Sequence, residues 1–238
     1  MNKEQQLESR LVELFRTTFG ESLSSVVVYG SYATGQWSAR ASDINILVLV
    51  KHCSAAALQS LGRAGHRLLR RHRVTPLILS EREFANSADV FPMEYMDIIA
   101  RHRVLFGADP TEHVQFSRVN LRHELEHQLR GTMLSLRQVV IAARGRRRPL
   151  LAELKQLAGS VAALFRGLLR LHGTEEVPVG PEALIGAVNE AYGLTPGPFV
   201  TLLSLRGGAS VEPVSLAADL LARLEELVQI VDAYDAGS

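Results

Sequence analysis

Residues 24–50 read SSVVVYGSYATGQWSARASDINILVLV, and this stretch decides the fold. It opens on a short β-branched run, Ser24–Gly30, whose Val26, Val27 and Val28 suit a buried strand. It closes on Ile44–Val50, a second unbroken apolar run of strand length. A Gly/Ser/Thr-containing segment, Gly30 to Ser42, joins the two. One strand therefore delivers the chain to Gly30–Ser31, where a short helix can start, and the next strand opens with Asp43 and Asn45. Two residues apart on a strand, Asp43 and Asn45 share a face. The layout suits phosphoryl chemistry. Gly30 lets backbone approach a phosphate, the Ser31 hydroxyl can hydrogen-bond it, and N–H groups at a helix start favour an anion. Asp43, with the Asn45 amide as a weak second ligand, would hold Mg²⁺.

The rest of the first half reads outward from these strands. Leu7, Leu11, Leu14 and Phe15 recur at helical spacing over 3–18, with Gly20 just beyond. Residues 54–71 predict a second helix, with Arg63, Arg67 and Arg70 on one face. VTPLIL, 74–79, predicts a third strand, and Pro76 assigns it to an edge or to a strand start. A short helix over 92–100 and a fourth strand over 101–107 follow. From Pro110 the texture becomes helical: 110–143, then Pro149 to about Leu171, Pro181–Tyr192 and 213–234, with Gly- and Pro-rich 195–212 between the last two. The expected fold class is α+β, with a small mixed β-sheet domain over 1–109 and a C-terminal helical bundle over 110–238.

The Gly30–Ser31 turn, the spacer and the SDIN segment between two apolar strands resemble the nucleotidyltransferase superfamily related to DNA polymerase β. That family's pattern is Gly-Ser, about ten residues, then Asp-x-Asp or Asp-x-Glu. Gly30, Ser31 and Asp43 match it. The antibiotic adenylyltransferases also pair such a domain with a helical bundle. The resemblance implies that ATP or another nucleoside triphosphate sits at Gly30, Ser31 and Asp43 with Mg²⁺. It further implies that Asp43 is catalytic and that a nucleoside monophosphate (AMP foremost) passes to a small-molecule or protein acceptor between the two domains. The chain departs from the pattern twice. Asn45 replaces the second carboxylate, and VTPLIL carries no third one. Glu81, Glu83, Asp89, Glu94 and Asp97 follow as stand-ins that sequence alone does not place. Losing charge concentrated at the metals costs orders of magnitude in rate. The alternative expectation is thus a pseudoenzyme, a nucleotide-binding or protein-interaction module that has kept the fold.

Two other motifs compete. His123-Glu124-Leu125-Glu126-His127 satisfies H-E-x-x-H, the zinc-protease pattern. The Leu121, Leu125 and Leu129 stripe excludes both histidines, so a solvated helix face is the simpler account. Arg166 and His172 loosely resemble the Arg-x(4–6)-His ribonuclease motif of HEPN helical domains, although Gly167 departs from it. A basic residue near a helix C-terminus favours the helix dipole anyway.

Composition bounds the rest. A net charge of +1 selects no anionic partner, so nucleic acid is not expected, and the local Arg63–Arg73 and Arg144–Arg148 clusters read as solvated surface. One cysteine, Cys53, excludes a disulfide framework. The polar start carries no signal-peptide pattern and no run is long and apolar enough for a membrane span. The expectation is a soluble cytoplasmic protein. Its Arg, Ala and Leu richness suits a bacterium with GC-rich DNA, and its apolar helix faces leave room for a homodimer.

Overall fold

The computed structural model describes residues 2–35, 43–112, 114–115, 117–174, 176–178, 180–194, 197–205 and 211–234. The chain divides into two compact units, Met1–Phe116 and Ser117–Ser238. The architecture is α+β: among the described residues, the first unit holds a four-stranded mixed sheet and the second holds helices without strands.

In the first unit α1 spans Lys3–Phe19, β1 Leu23–Tyr29, β2 Ile44–Val50, α2 Ala55–His72 and β3 Val74–Ser80. The short α3 spans Glu81–Ala85, α4 Pro92–Ala100 and β4 His102–Gly107. The sheet order is β3-β2-β1-β4. β1 runs antiparallel to both β2 and β4, and β3 runs parallel to β2. The apolar runs of β1 and β2 mark central strands, buried on both faces as such runs must be. Pro76 lies on β3, at the sheet edge, where a missing N–H breaks no ladder.

Each face of the sheet has its own helices. Val26, Val28, Ile44, Ile46 and Val48 pack with Leu7, Leu11 and Phe15 of α1 and Leu61 of α2. Val27, Tyr29, Leu47 and Leu49 face the other way, onto Phe84 of α3 and Tyr95 and Ile98 of α4. Strand alternation thus decides that Asn45, in phase with Leu47 and Leu49, belongs to the α4 side. An Asn2 side chain caps α1, and Gln5 reaches back to complete a capping box.

In the second unit α5 spans Arg118–Ala143, α6 Arg147–His172, α7 Pro181–Tyr192, α8 Gly197–Ser204 and α9 Pro213–Asp232. The helix expected from residue 110 begins only at Arg118, because the Ser117 side chain caps it by accepting from the Val119 and Asn120 N–H groups. Residues before Ser117 serve the first unit. Asp109 pairs with His102 Nε2 at 2.8 Å and accepts from the Thr111 N–H and hydroxyl, tying this segment back to β4. The Gly- and Pro-rich stretch read as loop contains α8, whose Phe199 and Leu202 are buried.

Candidate functional site

The ends of β1, β2 and β3 converge where the sequence placed its candidate residues. Tyr29 and Asn45 are partners in the β1–β2 ladder, and Asn45 and Thr75 are partners in the β2–β3 ladder. Gly30 follows Tyr29 with φ +74°, a left-handed backbone that glycine adopts without penalty. A Cβ there would lie 3.6 Å from Asn45 Nδ2, so turn and strand end are in van der Waals reach. The Gly30 N–H donates to the Arg101 carbonyl at 2.8 Å. It is therefore committed to the fold and not to an anion. The expected helix start after Ser31 does not form within residues 31–35, which are turns. Residues 36–42 lie outside the described residues.

Asp43, the one matched carboxylate, is not solitary. Arg73 Nε lies 2.7 Å from Asp43 Oδ1, with both side chains about half exposed (47% and 50%). The placement has a backbone cause. α2 ends at Arg73, which turns left-handed at φ 52° and caps the helix. Its carbonyl then accepts the Ile44 N–H at 2.9 Å, which sets Arg73 beside Asp43 as the parallel ladder begins. In sequence, Arg73 falls within the Arg63–Arg73 cluster that reads as solvated surface. No sequence signal marks this pair, because it depends on β2–β3 register.

Glu83 belongs to a capping box with Ser80, whose hydrogen bonds lower its pKa. Ser80 pairs with Val50, at the opposite end of β3 from Thr75, about 17 Å away at strand rise. Glu81 sits there as well, lining a cavity of about 360 Å³ with Ser24, Leu49, Phe84 and Pro110. Glu94 of α4 is different. The Tyr29 hydroxyl donates to Glu94 Oε1 at 2.8 Å. Burial, then the Glu94 and Asp97 carboxylates, push that phenol far above its ordinary pKa. Glu94 thus approaches the site from the helix side through Tyr29, the ladder partner of Asn45. Among the described residues, no three His, Cys, Asp or Glu side chains are grouped so as to hold a metal ion.

His123 and His127 are exposed on α5 while Leu121, Leu125 and Leu129 are buried. His172 packs edge-on against Tyr192, ring centroids 5.5 Å apart. No helix among the described residues is long and apolar enough to cross a membrane.

The fold, with its Gly-Ser turn between two central strands, is that of the nucleotidyltransferases, and a helical unit follows it. A solved structure similar to this chain is spectinomycin adenyltransferase AAD(9) from Enterococcus faecialis with ATP and spectinomycin. It has a TM-score of 0.63 and 11% identity over 96% of this chain and 99% of that one. A tri-AMPylated Shewanella oneidensis HEPN toxin in complex with MNT antitoxin matches more loosely. That match has a TM-score of 0.30 and 19% identity over 44% of this chain and 73% of that one. No protein-family model matches the chain, and no curated protein matches it by sequence.

Proposed function

We propose that the chain binds a nucleoside triphosphate, ATP foremost, at Gly30, Ser31 and Asp43, with nucleotidyl transfer much weakened. The reaction the fold serves is passage of AMP to a small-molecule or protein acceptor. What supports binding is the Gly30 turn packed against Asn45, with Asp43 at the mouth of the same strand end. The observation that carries the weakening is the Asp43–Arg73 ion pair. The Mg²⁺ that the fold implies fits poorly here. Asp43 is met by a guanidinium, Asn45 brings no charge, and β3 offers the Thr75 hydroxyl where a carboxylate would complete the set. Divalent cations at such sites rely on carboxylates, so no catalytic step is routed through the metal.

A second reading, a working transferase, has one specific observation in its favour: Glu94, held by the Tyr29 hydroxyl, brings a carboxylate from α4. The two readings part in one experiment. ATP labelled at the α-phosphate is incubated with the chain, and with Asn45→Asp, while pyrophosphate is measured. Calorimetric ATP binding with little pyrophosphate, increased by Asn45→Asp, supports the proposal. Turnover by the wild type that Glu94→Gln abolishes supports the second reading. No binding of any nucleoside triphosphate overturns both.

A further inference from the structure

We infer that Arg73 is this site's resident cation, so that a nucleoside triphosphate binds to it without a divalent metal. The inference rests on the nucleotide-binding reading above. Asp43 is the one carboxylate among these four side chains and is already paired with Arg73, while Asn45 and Thr75 are neutral, so the patch lacks the several carboxylates that attract Mg²⁺. A metal approaching Asp43 must displace a guanidinium at 2.7 Å and then sit beside it. A polyphosphate meets the opposite situation, since the cation is already in place.

Arginine suits the role. Its guanidinium stays charged at any working pH and carries five N–H donors in a planar fork that matches phosphate oxygens. Asp43 engages Nε, which fixes the fork's orientation, and about half of the side chain faces solvent. The backbone fixes it further, through the left-handed cap of α2 and the Ile44 N–H to Arg73 carbonyl bond. The other arginines of α2, such as Arg70, lie on the helix itself and are exposed, with no such tie to β2.

The left-handed conformation also supplies a clean variant. Glycine is the residue that position tolerates best, so Arg73→Gly removes the guanidinium without straining the cap. The experiment is calorimetric titration of ATP into the full chain, once in EDTA and once in excess Mg²⁺. Wild-type affinity should agree within about threefold between the two buffers. Arg73→Gly should lose at least about tenfold in EDTA with its melting temperature maintained. Arg70 lies in the last turn of α2, so Arg70→Gln, which keeps a good helix former there, serves as the control and should leave affinity unchanged. Wild-type binding that appears only with Mg²⁺ overturns the inference and leaves the nucleotide reading standing. Equal losses in Arg70→Gln and Arg73→Gly overturn it too, because they mean diffuse charge. Absence of ATP binding in both buffers overturns the inference and the nucleotide reading together.

Discussion

Gly30→Ala measures how the turn and the site depend on one backbone position. At φ +74° the added Cβ forces an L-residue into the left-handed region, which costs about 1–2 kcal/mol. Sterics add little, since the nearest atom, Asn45 Nδ2, is at 3.6 Å, an ordinary contact. Gly107→Ala provides the contrast. Its φ is +80°, and its Cβ would fall 2.0 Å from the Ser24 carbonyl oxygen, where backbone must move. That movement breaks into the β1–β4 pairing at Ser25 and Gly107 and the bifurcated hydrogen bond that the Ser25 hydroxyl donates to the Phe106 and Ala108 carbonyls. With roughly 1 kcal/mol for each hydrogen bond, Gly107→Ala should cost at least about 3–4 kcal/mol. Hydrogen exchange at the β1 amides reads the first unit by itself. Gly30→Ala should accelerate it modestly and Gly107→Ala severely, while ATP affinity should fall in Gly30→Ala by more than its stability loss explains. Equal destabilisation by the two variants, or unchanged ATP affinity in Gly30→Ala, would refute the reasoning.

Other expectations follow from individual contacts. Burial, then the neighbouring Glu8 carboxylate, push the Tyr32 hydroxyl up to about 12. Its folded value exceeds its unfolded one, near 10, so its contribution is full below pH 10 and is lost as pH rises through 12. Tyr32→Phe should flatten that part of an alkaline denaturation curve. Burial raises the Asp109 pKa, but hydrogen bonds from His102 and Thr111 outweigh it and the net shift is downward. Its contribution is therefore present above about pH 4 and is lost as pH falls further; Asp109→Asn should reduce that acid sensitivity in stability measurements. Phe15→Ala, fully buried between α1 and the sheet, should cost about 3–5 kcal/mol by chemical denaturation.

The strands were legible because Val26–Val28 and Ile44–Val50 are runs that only a doubly covered sheet buries, and Pro76 marked the edge. α1 was legible from Leu7, Leu11 and Phe15 at four-residue spacing. Other features were hidden for physical reasons. Arg73 looked like one more arginine of α2, because periodicity does not reveal that the backbone turns left-handed there and aims it at Asp43. Glu94 stood among five acids without rank, since only the crossing of α4 over Tyr29 distinguishes it. Thr75 became meaningful once parallel register set it beside Asn45. At the start of α5, apolar spacing ran on through residues that the Asp109–Thr111 interactions claim for the first unit.

Locating bound ATP tests the central claim most directly. Backbone amide chemical shifts of the labelled chain, followed during an ATP titration, should change most at Gly30, Ser31, Asn45 and Thr75. Changes confined to the cavity of Ser24, Leu49 and Phe84 at the far end of the sheet, or to the helices of the second unit, would contradict it.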